Sequence, residues 1–424
     1  MNSNIKKSVP RLRFQSFKAS GPWGFQPLGK LAQRSICKNV DGKITRVLTN
    51  SAEYGIVDQR DFFDKDIANQ GRLEGYYIVE EGSYVYNPRV SAMAPVGPIS
   101  KNKIGLGVMS PLYTVFQFNN SENDFYAHYF KTTHWHPYLR QVSSTGARHD
   151  RMSISNNDFI GLPLPVSTAE EQKKVADCLS SLDALLTAEV KKLDTLKKYK
   201  QGLMQQLFPH EGENVPRLRF PEFQSEGEWV YEKIGDCLEK VIDYRGKAPP
   251  KAESGVQLIT AKNVRFGWLD MSCNEYISAD EYESWMSKGI PRGGDVLFTT
   301  EAPLGNVALF PCTGKFALGQ RIITLRTKPK KCLAEFLFQA LLTPGMQKKI
   351  DFHSTGSTAK GIKSKVFVNL SFCYPKISEQ QKIAEVLSSL DDFIAAQSQK
   401  LDVLKDHKKG LMQQLFPVFD EILA

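Results

Sequence analysis

No stretch of about 18 consecutive apolar residues occurs in the chain, so a membrane-spanning helix is not expected. The N-terminus, MNSNIKKSVP, lacks the apolar centre of a signal peptide. The seven cysteines (Cys37, Cys178, Cys237, Cys273, Cys312, Cys332, Cys373) are odd in number, scattered and without a CxxC pair. That pattern supports neither a disulfide framework nor a zinc site, and fits reduced thiols in a cytoplasmic protein.

Catalytic motifs are equally scarce. Gly24 to Lys30 imitates a phosphate-binding loop, but Leu31 stands where a magnesium-binding Ser or Thr is needed, and no strand precedes it. Tyr86-Asn87-Pro88-Arg89 is an incomplete amino-methyltransferase box, and no glycine fingerprint follows a strand to bind a methyl donor. His134 and His136 have no further ligands in view and read as packing or surface residues. No carboxylate pair with a nearby lysine makes a nuclease centre. The chain is expected to bind, with no catalytic or metal residue assigned. Its 55 Lys and Arg against 46 Asp and Glu leave +9, which favours an acidic partner such as nucleic acid.

What is present is a duplication. GLMQQLFP stands at Gly202 to Pro209 and again at Gly410 to Pro417, a shift of 208 from 202 to 410; LSSLD recurs at the same shift, at Leu179 and Leu387. VPRLRF recurs at a shift of 206, from Val9 to Val215, and Trp23 pairs with Trp229. The period is far too long for a solenoid. It describes two domain-sized copies with matched ends around a diverged interior of about 140 residues, a scaffold with two different contents. The expected layout is an N-terminal arm and first variable domain over 1–165, a first long helix over 166–210, a second variable domain over 211–375 and a second long helix with a tail over 376–424. Gly107 to Phe118, Asp295 to Thr300, Asn306 to Phe310 and Arg321 to Thr327 read as strands, and Phe125 to Phe130 and Phe336 to Leu342 as short helices. The fold class is α+β.

Each long helix carries a heptad seam. Val175, Leu179, Leu182, Leu186, Leu193, Leu196, Leu203 and Leu207 alternate steps of four and three, as do Ile383, Leu387, Leu390, Ile394, Leu401, Leu404, Leu411 and Leu415. Thr168 with Glu171, and Ser378 with Gln381, fit capping boxes. Glu189, Lys200, Gln397 and Lys408 are polar seam positions, read either as register pins or as places where the helices part or a third element packs. Gly202 and Gly410 imply either a close backbone approach or a bend, and Pro209 and Pro417 end the helices. At about 40 residues, or roughly 60 Å, the helices are expected to pair antiparallel as a coiled coil with a domain at either end. Because VPRLRF opens the chain and also follows the first helix, the layout is circular and the termini are expected to lie together.

With these residues in hand, the chain resembles the specificity (S) subunit of a type I restriction-modification system. The likeness rests on VPRLRFPEF, GDVLFTTEAPLGNVA (Gly294 to Ala308), both STG triplets, EEQKKVADCLSSLD, EQQKIAEVLSSLD and both GLMQQLFP strings. The first copy departs from it, with GSYVYNPRV (Gly82 to Val90) where the second has GDVLFTT. The resemblance implies two target recognition domains, each reading half of a bipartite, asymmetric site on double-stranded DNA. It implies a helical ruler that docks two methyltransferase (M) subunits carrying S-adenosylmethionine, and restriction (R) subunits that use ATP and Mg. The chain itself is then non-catalytic and binds no cofactor. A stand-alone DNA-binding or architectural protein is the competing reading.

Candidate DNA contacts are taken from loops at the repeat landmarks. Ser144, Thr145 and Gly146, with Arg148 and Arg151, and Ser354, Thr355 and Gly356, with Lys360, Lys363 and Lys365, suit phosphates. Asn87, Arg89, Thr299, Thr300 and Glu301 stand at strand ends, where Arg suits guanine, Asn adenine and Glu the cytosine amine.

Overall fold

Runs of Val, Ile, Phe and Tyr between glycine and proline turns build two sheets on one plan. The structure, a computed structural model, describes residues 8–62, 73–145, 150–244, 248–356 and 359–418. The chain divides into two units, one of residues 1–189 with 400–424 and one of residues 190–399. In the first, strands Ala32–Ser35, Thr114–Phe118, Tyr84–Tyr86 and Ile99–Lys101 lie side by side in that order, all antiparallel. In the second, strands Leu238–Asp243, Ile322–Thr327, Val296–Thr300 and Leu304–Leu309 repeat the same order and sense. Each unit also closes its base with a two-stranded ribbon, Gly24–Pro27 against Pro163–Val166 in one and Val230–Lys233 against Ser371–Tyr374 in the other. The prolines are tolerated because a two-stranded ribbon has only edges.

The expected strand from Gly107 to Phe118 is two strands. Gly107–Met109 pairs with Tyr77–Val79, a turn intervenes in which the Tyr113 amide donates to the Ser110 carbonyl (3.1 Å), and Thr114–Phe118 joins the main sheet. Pro111 breaks the run because it has no amide hydrogen for a ladder. The short helices are found at Asp124–Tyr129 and Ala334–Leu342.

Both long helices have 39 residues, Ala169–Leu207 and Ile377–Leu415. Their seam positions Leu179, Leu387 and Leu401 are buried, and Leu182, Leu186, Leu193, Leu196, Leu390, Ile394 and Leu404 are half-buried. In the first unit the helical segments run antiparallel, with Lys408 paired to Asp183 and Lys400 to Glu189 (2.5 Å). In the second, Lys200 reaches both oxygens of Asp391 at 2.6 and 2.7 Å. Asp183 and Asp391 are the aspartates of the two LSSLD strings, so the polar seam lysines bind the repeat on the other helix and fix register. A third element packs there as well: Gln339 donates to Asp391 (2.9 Å), and Lys131 to Asp183 (3.3 Å).

The capping boxes differ from expectation. Thr168 Oγ1 accepts from the Glu171 amide (3.3 Å), but the Glu171 carboxylate turns away to Arg13. The second helix already begins at Ile377, which puts Ser378 inside its first turn, and Gln381 donates to Glu385 (2.9 Å). The repeat equivalent of Glu171 is Glu379, which binds Arg219 in the same way. Nor do Gly202 and Gly410 serve a close approach, since a Cβ built at either meets nothing within 4 Å.

The GLMQQLFP strings end the helices inside cores. Met204, Leu207 and Phe208 join the core of the second unit beside Trp229 and Phe336. Met412, Leu415 and Phe416 join that of the first beside Trp23 and Phe125. The circular layout is visible in two equivalent bonds. The Leu12 amide donates to the Gln414 carbonyl, and the Leu218 amide to the Gln206 carbonyl, each at 3.0 Å.

Candidate nucleic-acid interface

The loops that leave the third strand of the main sheet, counted in sheet order, hold the candidates, and in both units they meet the segment around the STG triplet. In the first unit Arg89 forms an antiparallel bridge with Arg151. Two bonds hold it: the Val90 amide donates to the Asp150 carbonyl and the Met152 amide to the Pro88 carbonyl, each at 2.9 Å. Ser144–Thr145 pairs with Met152–Ser153 in a short hairpin. Asn87 is committed inward, its Nδ2 donating to the Asn50 carbonyl and its Oδ1 accepting from the Arg89 amide, each at 3.0 Å. It shapes the loop that presents Arg89, which is the more exposed group, with Nε 3.8 Å from Asp150 Oδ2. Gly146 and Arg148 lie outside the described residues.

In the second unit the equivalent bridge joins Glu301 to Gly361, and Thr355 pairs with the same glycine. The Ile362 amide donates to the Thr300 carbonyl (2.9 Å). A cleft of about 690 Å³ opens here, lined by Thr300, Glu301, Arg321, Thr355 and Lys363 together with Asp243 and Lys288. The structure therefore brings Thr300, Glu301, Thr355 and Lys363 together.

Several of the expected contact residues have partners within the protein. Thr299 and Thr300 are buried. The Thr299 hydroxyl accepts from the Asn306 amide (2.9 Å) and that of Thr300 donates to the Arg321 carbonyl (3.3 Å), so both serve the sheet. Ser354 spends its hydroxyl on the Asp351 carbonyl (2.6 Å), and the Thr355 amide donates to Gly361 (2.8 Å), so neither group is left for a phosphate. Lys360 is held by Asp351 at 2.6 and 2.8 Å. Gly356, at φ +107°, is a turn residue whose Cβ would fall 2.3 Å from the Ala359 carbonyl oxygen. Lys365 sits on the short helix Ser364–Phe367, outside the cleft lining.

Arg321, Lys288 and Asp243 were missed by sequence reasoning. Arg321 reads as the first residue of a strand, yet the strand begins at Ile322 and Arg321 has φ +67°. Nothing in the sequence marks a left-handed arginine, because that region favours Gly or Asn. His134 and His136 are packing residues: His134 is buried and His136 stands edge-on to Trp135 at 4.6 Å. Burial pushes His136 down to about 4. Among the described residues no group of three His, Cys, Asp or Glu side chains is placed to hold a metal, and no helix is long and apolar enough to cross a membrane.

Two units of one plan, each presenting a different loop junction at the same place, make a duplicated scaffold. Residues 226–406 match the type I restriction modification DNA specificity domain. The chain is 25% identical over 334 residues to the type I restriction enzyme MjaVIII specificity subunit of Methanocaldococcus jannaschii, covering 75% of each. It is 31% identical over 204 residues to the MjaIX specificity subunit of the same organism, 46% of this chain and 45% of that one. Among solved structures it is similar to the type I restriction-modification system S subunit from M. genitalium, with a TM-score of 0.57 at 14% identity, over 96% of this chain and 99% of that one. A chain from work on complex assembly and conformational transition of the type I R-M system gives 0.56 at 16% identity, over 93% and 97%. The two structural likenesses speak for the fold. The chain is thus similar to type I restriction enzyme specificity subunits over most of its length, and its residues 226–406 match their DNA specificity domain.

Proposed function

We propose that this chain is the non-catalytic reader of a bipartite, asymmetric DNA site, with one half-site per unit, and that its paired helices dock methyltransferase subunits. The observation that carries the reading is the equivalent bridge in the two units, which sets Arg89 beside Arg151 in one and Glu301 beside Gly361 in the other. A shared scaffold with unlike groups at the same place suits two different half-sites. The net charge of +9 supplies the sequence-independent attraction to phosphates. Arg89 and Arg151 are exposed or half-exposed at the first junction, and Lys288 and Lys363 line the second. Linking two readers in one chain makes engagement of the second half-site intramolecular, which raises avidity without new contacts. S-adenosylmethionine belongs to the M partners, and ATP and Mg to the R partners.

The test is to express the chain with its methyltransferase partner and sequence the methylated adenines. Two unlike half-sites separated by an unspecified spacer are expected, and specific binding is expected to need the partner. A single continuous palindrome would overturn the bipartite reading; tight specific binding by the chain alone would favour a stand-alone DNA-binding protein.

A further inference from the structure

Two side chains in the cleft of the second unit are held in a way that packing does not require. Arg321 adopts φ +67°, a region disfavoured for any residue with a Cβ. Its carbonyl accepts twice from Thr300, from the amide at 2.9 Å and from the hydroxyl at 3.3 Å, which locks the conformation. The Arg321 side chain borders the cleft, where its Nε lies 3.1 Å from Glu301 Oε1. Glu301 is fixed in turn by its bridge to Gly361, where an added Cβ would come within 3.3 Å of Glu301 Cβ. Both side chains still keep about half their surface open, 53% for Arg321 and 49% for Glu301. Strained backbone that the surroundings over-determine is a mark of function.

A carboxylate gripping Nε leaves the Nη groups of a guanidinium to act as a rigid pair of donors. In the major groove only guanine offers two adjacent acceptors, O6 and N7, while adenine sets a donor beside its N7. The cytosine amine lies next to guanine O6 and needs an acceptor, which the remaining Glu301 oxygen supplies. The pair is thus complementary to a G·C edge. It is poorly suited to a phosphate, which the neighbouring carboxylate repels and which needs no fork of fixed direction. Lys288 and Lys363 in the same cleft have the charge a phosphate requires.

We infer that Arg321 reads a guanine in the half-site of the second unit through its Nη groups, and that Glu301 is the positioning residue that aims it. The inference rests on the DNA-reading function proposed above and adds a base and two residues to it. The first unit carries Arg89 where the second carries Glu301, so the same G·C pair is not read there by the same arrangement.

The test uses the full chain with its methyltransferase subunits. Methylated-adenine sequencing compares the wild type with Arg321→Ala, Arg321→Lys and Glu301→Gln, and a binding assay replaces each guanine of the wild-type site in turn with 7-deazaguanine, which lacks N7. A wild type that yields no sequence motif overturns the DNA-reading function itself. Given a motif, Arg321→Ala is expected to lose discrimination at one G·C position by about 5- to 150-fold and leave the rest intact. Lysine does not restore it, because it has no fork. Glu301→Gln weakens the same position, and 7-deazaguanine at that guanine weakens the wild type but not Arg321→Ala. An unchanged motif, or uniform weakening over all sequences, overturns the inference. Should the Arg321 variants fail to assemble, the 7-deazaguanine scan of the wild type decides alone: no sensitive guanine in either half-site overturns it.

Discussion

Removing Arg219 should damage the second unit more than removing Arg13 damages the first, although the two arginines occupy equivalent positions. Arg13 gives Nε and Nη2 to Glu171 at 2.6 and 2.7 Å, and Arg219 gives the same atoms to Glu379 at 2.8 and 2.7 Å. Both carboxylates are buried, with side chains 1% and 2% exposed. Breaking one side of a buried pair strands the other charge, at about 3–5 kcal/mol. The surroundings differ. Glu171 also accepts from Trp23 Nε1 (3.0 Å) and from the Ser167 hydroxyl, so Arg13→Ala leaves it partly satisfied. Trp229 Nε1, the equivalent indole, has no partner among the described residues. We therefore expect about 3 kcal/mol for Arg13→Ala and about 5 for Arg219→Ala, since a hydrogen bond to a charged group is worth about 1.5–3. For units near 200 residues that is a melting shift of about 6 to 12 °C for the first and about 10 to 20 °C for the second. Scanning calorimetry with peptide-level hydrogen exchange assigns each loss to its unit. Equal losses, or a larger loss for Arg13→Ala, would refute the reasoning.

Gly202→Ala and Gly410→Ala should each stabilise by about 1 kcal/mol, because the Cβ enters open space and the helix gains propensity; urea titration measures it. His128 is held down to about 4, chiefly by burial and then by Lys131, so the unfolded chain binds its proton first as pH drops. Stability should fall between about pH 6.5 and 4 and stop falling on this account below that; His128→Asn should flatten part of that limb in melts recorded against pH. Glu171 lies below the ordinary carboxylate range: burial raises it, but the bonds from Arg13 and Ser167 outweigh burial. Its stabilisation is complete above about pH 4.5 and is lost as pH falls through its lower folded value, which Arg13→Met should abolish from the acid limb. Lys408→Met should destabilise by about 1 kcal/mol after allowance for the exposure of Asp183, with a double-mutant cycle showing the coupling.

Regular features of the fold were legible in the sequence, and irregular ones were not. The seam from Leu179 to Leu207, the pairing of Trp23 with Trp229 and the circular contact of Leu12 with Gln414 follow from spacing, because helix periodicity and a duplicated core leave repeated letters. Arg321 does not, since its left-handed backbone is imposed by two bonds from Thr300 that no local pattern announces. Thr299 looked available as a polar group at a strand end, yet sheet register turned it inward to Asn306. Glu171 matched a capping box, and the structure assigns it to an arginine 158 residues earlier in the chain. The misread side chains were those whose partners depend on the folded path of the backbone, whether near in sequence, as for Thr299, or far, as for Glu171.

The core of the first unit includes Met412, Leu415 and Phe416, while the second unit is one continuous stretch, residues 190–399. During synthesis, which ordinarily lets N-terminal domains fold first, this order is reversed. The half made earlier needs Met412, Leu415 and Phe416 to complete its core, and the half made later has all of its own residues before these leave the ribosome. A message truncated shortly before residue 410 would thus yield a chain whose C-terminal half is sound and whose N-terminal half is not.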